Sequence, residues 1–314
     1  MIIRIKEILS PLNKFIALEF MWLFAKYFVQ RKKMNSYPKI YLIFRCSIEL
    51  IVNKLKIIRI DNSFAGETLG IQNILDKIDD QCHYLVDIGA SDGITQSSTV
   101  KFLVDYDYSG LLFEYEPKNF SKLAFLYDDR NDITLSKIKI TPNNIVHLMK
   151  SYDVPKDFTL LNLDIDSYDL EVLRRLLMGG FIPKMISMEI NEIFPPNIEF
   201  EVSYSADYSW QGDHFFGCSV ALADKTLRSL GYSLVEIEYN NAFFVSNSVA
   251  DKFDLTRNIF ELYDQGYRNK PDRKFKFSGN SDVEYLLTAS PKECDEKVRA
   301  LFLKYEGKFS LNIH

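Results

Sequence analysis

From residue 71 onward, short apolar runs alternate with longer amphipathic stretches. The runs at 84–88, 111–114, 133–135, 159–163 and 185–190 predict strands, and the stretches at 94–104, 117–127, 143–151, 170–178 and 218–230 predict helices. Strands separated by helices in this way form βαβ units, and hence a parallel sheet. The rhythm then changes. Two apolar runs, 232–238 and 242–245, are joined by Tyr239, Asn240 and Asn241 alone. So short a connection forces an antiparallel hairpin. The predicted fold is therefore α/β, mostly parallel, with an antiparallel hairpin at its end. Residues 61–70, with Gly66 and Gly70, read as a linker. Beyond 246 the alternation is lost. Residues 269–281 read as a polar, basic loop, and Ser290-Pro291 reads as the start of a helix running through Val298, Leu301, Phe302 and Tyr305 to Gly307.

The N-terminal stretch has another character. Ser10 and Pro11 suit the N-cap and first turn of a helix. The apolar run 15–29 is interrupted by Glu19 and Lys26, and a second run, 40–52, holds Arg45 and Glu49. Neither matches the ~20 apolar residues that span a bilayer. Residues 1–60 carry 12 Lys/Arg against 3 Asp/Glu, a net +9, whereas the remainder carries 26 against 40, a net −14. A basic amphipathic arm on an acidic body is expected either to pack on the body or another subunit, or to lie peripherally on an anionic membrane. With an acidic body, the whole-protein basic field that a nucleic-acid partner calls for is absent, and no nucleic-acid partner is expected. The expected organisation is a helical extension over 1–60, a core domain over 61–250, and a helical and loop extension over 251–314, with room for an oligomer.

Composition adds bounds. The chain has 314 residues, 47% of them hydrophobic and 14% aromatic, enough for a substantial core. Cys46, Cys82, Cys218 and Cys294 are scattered, with no C-x-x-C pair. This argues against a structural zinc site and a disulfide framework, and for a reducing cytoplasm. Arg4, Lys6 and Glu7 interrupt what a signal peptide would keep apolar.

The chemistry-bearing residues stand at the predicted strand ends. The first strand runs into Asp87, Gly89, Ser91 and Gly93, a D-x-G-x-x-x-G pattern rather than G-x-G-x-x-G. A dinucleotide site sets pyrophosphate on a helix N-terminus and needs closely spaced glycines. S-adenosylmethionine has no phosphate, and its amine favours a nearby acid. The second strand ends in Glu114, 25 positions after Gly89, where a carboxylate accepts both ribose hydroxyls. Replacing it is expected to weaken cofactor binding with little effect on folding. Glu116 with Pro117 starts the next helix. The fourth strand ends in Asp164 and Asp166, which belong at the reaction centre because ligands bind at the open end of a parallel sheet. Asp169 reads as a cap for the helix 170–178. In the fifth strand Glu189 needs a partner if buried. Asp164 with Glu189, Asn191 or Glu192 offers hard oxygen ligands, but the spacing is not diagnostic and a metal-free site is preferred.

Taken together, VDIGASDG, LLFEYEP, LNLDIDSYDLEVL, MISMEI and the closing LGY and NNAFFV resemble the FkbM-type S-adenosylmethionine-dependent methyltransferases over roughly residues 80–246. The resemblance implies a Rossmann-like class I methyltransferase sheet. It also implies cofactor roles for Asp87, Gly89, Ser91 and Glu114, with Gly93 completing the turn, and active-site roles for Asp164 and Asp166. It further implies transfer to a hydroxyl of a sugar or surface polysaccharide. The family pattern D-[VI]-[ED]-G-x-E-x-x-V-L falls on residues 164–173, with Ser167 in place of glycine and Asp169 in place of glutamate. Those departures bear on acceptor specificity. An aromatic segment, with Tyr204, Tyr208, Trp210, Phe215 and Phe216, reads as a sugar-facing surface, and within it Asp213 and His214 can bind or deprotonate hydroxyls. His214 is the candidate general base. The rival expectations are a non-catalytic, membrane-associated partner in glycan assembly that keeps the fold, and a dinucleotide oxidoreductase.

Overall fold

The computed structural model describes residues 61–314, so the basic arm and its two expected helices lie outside the described residues. The main sheet has seven strands in the order β3-β2-β1-β4-β5-β8-β7. Its parallel members are β1 (Tyr84–Ile88), β2 (Ser109–Phe113), β3 (Ile133–Ser136), β4 (Leu160–Leu163) and β5 (Met185–Glu189). The hairpin of β7 (Tyr232–Glu238) and β8 (Asn241–Ser246) closes it, with β8 antiparallel to both β5 and β7. Between β5 and the hairpin comes β6 (Ile198–Val202), outside this sheet. The parallel sheet with an antiparallel closing hairpin is as the sequence predicts.

Helices cover both faces, which is why the strands are apolar on both sides. Alternate residues of one strand therefore feed different cores. Val86, Leu111, Leu161, Ile186 and Phe244 pack with α4 (Ile145–Ser151), α5 (Asp169–Met178) and α6 (Val220–Ser229). Leu85, Leu112, Leu160, Met185 and Phe243 pack with α1 (Glu67–Ile78), α2 (Val100–Asp105) and α3 (Pro117–Leu126). Each fully buried Leu or Ile contributes roughly 1.5–3 kcal/mol relative to exposure. The two cores therefore hold the strand ends rigidly.

Three expectations are corrected. Residues 67–70 are not linker but the first turn of α1: Gly66 is its N-cap at φ 102°, and a Cβ on Gly70 would stand 2.6 Å from Phe243 Cε2. Gly70 serves close helix–sheet packing, and Gly66 supplies the left-handed turn into the helix. The helix expected from 94 begins only at Val100, because the Asp92 carboxylate takes the Ile94 and Thr95 amides into a turn. The expected loop at 269–281 contains helical turns at Arg273–Lys276 and Ser278–Asp282, held by Arg273, whose guanidinium pairs with Glu284.

A second sheet was not foreseen. Strand β6 pairs antiparallel with β9 (Phe309–Ile313) and encloses Phe194, Phe200, Phe215 and Phe302. The helix predicted after Ser290 is α7 (Pro291–Leu301), where Ser290 and Glu293 form a reciprocal capping box. No helix of the described residues is long and apolar enough to cross a membrane.

Candidate active site

The carboxyl ends of β1, β2 and β4 open into a cleft of about 430 Å³, a size typical of small-molecule sites. At the end of β1 the chain turns through Gly89 at φ 96°, and a Cβ there would stand 1.7 Å from the Asp164 carbonyl oxygen. No side chain fits between β1 and β4 at that point. Gly89 thus secures the closest approach of the two strands whose ends form the cleft floor. Ser91 follows in a left-handed conformation (φ 49°) and donates its amide to Glu114 Oε2 at 2.9 Å. The Glu116 amide donates to Glu114 Oε1 at 2.6 Å. One carboxylate therefore ties the loop after β1 to the loop after β2. Glu116 itself caps α3 by accepting the Lys118 amide at 3.4 Å.

Asp164 and Asp166 form the far wall, in a loop between β4 and α5. Asp169 shapes this loop rather than capping a helix. Its Oδ1 accepts the Ile165 amide and its Oδ2 the Ser167 amide, both at 2.9 Å, which bends the chain so that Asp166 sits at φ 52°. Burial pushes the Asp169 carboxyl up to about 6 despite those two donors. Asp164 is pushed well above the ordinary carboxylate range, first by burial and then by repulsion from Asp166 and Asp169. Glu189, at the end of β5, is raised well above its usual range by burial and then by Asp164. Burial raises Asp166 as well.

The aromatic segment roofs this cleft in part. Tyr208, Ser209 and Trp210 line it, and Lys139 holds them there by donating Nζ to the carbonyls of Ala206 (3.0 Å) and Tyr208 (2.8 Å). Tyr204 meets Tyr168 edge-on, with ring centroids 4.8 Å apart. Trp210 and Tyr115, which both line the cleft, keep 45% and 51% of their surface exposed, leaving ring surface free for a ligand.

The structure thus brings together Gly89, Ser91, Glu114, Asp164 and Asp166 of the residues singled out in the sequence. Three others stand elsewhere. Asp87 is beneath the cleft, with Oδ1 held by Asn162 Nδ2 (2.9 Å) and Oδ2 by Thr99 Oγ1 (2.6 Å), and burial raises its carboxyl. It braces β1 against β4 and the start of α2. Gly93 packs under α3, where a Cβ would lie 2.6 Å from Leu123 Cδ1. His214 does not line the cleft, and its Nε2 stands 3.0 Å from Asp282 Oδ1. Asp213 is likewise engaged, with Lys304 at 2.8 Å and the Tyr305 hydroxyl at 2.7 Å. Lys139, Gln96 and Asn119, which no motif marks, do line the cleft.

The electrostatics are one-sided. Glu114, Glu116, Asp164 and Asp166 face the cleft, whereas Lys139, the single basic residue lining it among the described residues, is spent on two carbonyls. Such a site favours a ligand carrying positive charge and repels phosphate.

No family model and no curated protein matches this chain. Solved structures similar to it include an amino-pentose methyltransferase of calicheamicin biosynthesis from Micromonospora echinaspora, bound to S-adenosylmethionine. It is 11% identical, with 68% of this chain and 99% of that one covered and a TM-score of 0.38. The N-terminal domain of EvdMO1 bound to S-adenosylhomocysteine is 12% identical, covering 57% and 79% of the two chains at a TM-score of 0.36. An O-methyltransferase family protein from Burkholderia thailandensis is 7% identical, covering 58% and 57% at 0.32. These likenesses add nothing to the fold that the strand order already establishes.

Proposed function

We propose that the chain is an S-adenosylmethionine-dependent O-methyltransferase of the FkbM type, acting on a hydroxyl of a sugar or surface-polysaccharide glycan. The observation that carries this is the acidic cleft at the carboxyl ends of β1, β2 and β4, with Glu114 on its β2 side. S-adenosylmethionine brings a sulfonium and an amine, both cationic, and a ribose whose two hydroxyls are donors. Glu114 meets those donors, since each of its oxygens accepts one amide and keeps capacity for a second bond. A dinucleotide would bring two phosphates to the same four carboxylates, which disfavours an oxidoreductase. Gly89, at positive φ and with no room for a Cβ beside the Asp164 carbonyl, keeps the loop after β1 close to the loop after β4 at the cleft.

When bound, S-adenosylmethionine supplies a methyl carbon already activated on sulfur. What remains for the chain is to position an acceptor oxygen and receive its proton. Asp164 and Asp166 line the cleft where that proton is released, and a carboxylate oxygen there that is not otherwise engaged can accept it. His214, away from the cleft with Asp282, is replaced in that role. Trp210 and Tyr208 offer the aromatic surface on which a pyranose face stacks.

Turnover of methyl-labelled cofactor against a panel of sugars and glycans tests the acceptor class. Labelled product is expected with hydroxylated glycans and not with catechols or amines. The Trp210→Ala variant is expected to raise the KM for that acceptor roughly 10-fold, the loss of about 1.4 kcal/mol of stacking, and to leave cofactor affinity unchanged. Label appearing on an amine or a catechol instead would remove the glycan assignment.

A further inference from the structure

We propose that Asp164, Asp166 and Glu189 bind a hard divalent cation, Mg²⁺ or Mn²⁺, at the inner wall of the cleft. One oxygen from each of the three lies within 4.8 Å of the others. Glu189 ends β5, and Asp164 and Asp166 lie in the loop directly after the neighbouring β4, so the paired strands bring the three side by side. Among the described residues no Lys, Arg or His nitrogen forms an ion pair with any of them. Three carboxylates gathered without a cation are costly, because each loses water and repels the others.

A crowd of acids alone would say little. The second observation is Glu189 Oε2. Glu189 is 7% exposed, and its Oε1 accepts from Asn240 Nδ2 at 3.0 Å, while Oε2 is buried with no partner other than the neighbouring Asp164 carboxyl, which could donate to it only if protonated. As a carboxylate oxygen, Oε2 can only accept. A buried acceptor left without a donor costs about 1–3 kcal/mol, more when charged. A cation, with the water it carries, satisfies acceptors and only acceptors.

A proton shared between Asp164 and Glu189 is the rival. It would quiet one charge of the cluster and leave Asp166 and the remaining acceptors as they are. The donor set decides which ion fits. Carboxylate oxygens with no thiolate or imidazole select Mg²⁺, Mn²⁺ or Ca²⁺ over Zn²⁺. Around Mg²⁺, at about 2.1 Å per bond, ligand oxygens stand roughly 3–4 Å apart, so a modest closure of the three side chains completes the contact. An octahedral ion holding three carboxylate oxygens keeps its other positions for water or hydroxyl oxygens. The sequence alone favoured a metal-free site, and the orphaned Glu189 oxygen reverses that preference. The ion's service in holding acceptor hydroxyls rests on the methyl-transfer proposal, but its binding does not.

The test uses the full-length chain, stripped with chelator and titrated with Mn²⁺ alone while free Mn²⁺ is followed by electron paramagnetic resonance. One site is expected, displaced by Mg²⁺ and weakened at least 10-fold in both Glu189→Gln and Asp166→Asn. Glutamine keeps an acceptor for Asn240, and Asp166 lies on a loop, so folding is checked in each by its melting transition. No bound Mn²⁺ at millimolar concentration, or affinity unchanged from the parent in both folded variants, overturns the site and leaves the shared proton. Mn²⁺ binding by a chain that fails to bind S-adenosylhomocysteine upholds the ion site and removes the methyl-transfer proposal. The converse result does the opposite.

Discussion

Glu114→Ala is expected to lower the affinity for S-adenosylhomocysteine about 100-fold or more and to lower thermal stability as well. The affinity loss follows from two hydroxyl donors losing a charged acceptor, each such bond being worth about 1.5–3 kcal/mol. The stability loss follows from geometry that no sequence pattern displays. Glu114 accepts the Ser91 and Glu116 amides, so its removal leaves two loop amides without their acceptor, at roughly 1–3 kcal/mol. The expectation from sequence, that this change would leave folding largely untouched, is therefore replaced. Calorimetric titration well below the melting temperature separates the two effects. Glu114→Gln, which keeps one oxygen for one loop amide, falls between alanine and the parent on both measures. Unchanged affinity in Glu114→Ala would show that the ribose does not sit there.

Asp164→Asn is expected to reduce kcat by roughly 10²–10⁴, the usual loss when a positioned proton acceptor is removed. In chelator-treated protein at pH 8 it is expected to raise stability. The sign follows from the raised carboxyl. Folded protein holds this proton more tightly than unfolded chain does, so the parent loses stability as pH rises above the unfolded value of about 3.9. Asparagine carries no charge and escapes that loss. Its advantage is therefore largest in alkaline buffer and fades toward pH 4, where both forms are neutral. A variant that is less active yet more stable is the signature of a carboxylate kept for chemistry at the expense of the fold. Melting curves at several pH values, set beside steady-state rates, check both halves. A variant with full activity, or one destabilised at pH 8, contradicts this role for Asp164.

The parallel sheet was legible because its strands are apolar on both faces and end in acids or glycine, as at Asp87-Ile88-Gly89 and Leu163-Asp164. The hairpin was legible because three residues between two strands allow one connection. Strand β6 escaped because its partner, β9, lies more than 100 residues later, and a lone five-residue alternation is too short to stand out. Gly66 and Gly70 misled because a glycine that caps a helix at positive φ, or one that permits close packing inside it, reads like one that breaks it. Within the site, Glu114, Asp164 and Asp166 were found from their places at strand ends. Lys139 was missed because its task, holding two carbonyls of a loop almost 70 residues away, has no local pattern. His214 was chosen for its chemistry and its aromatic neighbours, and only the three-dimensional path of the 204–217 segment reveals that Tyr208 and Trp210 turn to the cleft while His214 turns to Asp282.

One measurement bears most directly on the central claim. The full-length chain is titrated calorimetrically with S-adenosylmethionine and, separately, with NAD. An acidic cleft closed by Glu114 predicts one-to-one binding of S-adenosylmethionine at micromolar concentration and no heat from NAD at millimolar concentration. Binding of NAD, or silence toward S-adenosylmethionine, would contradict it.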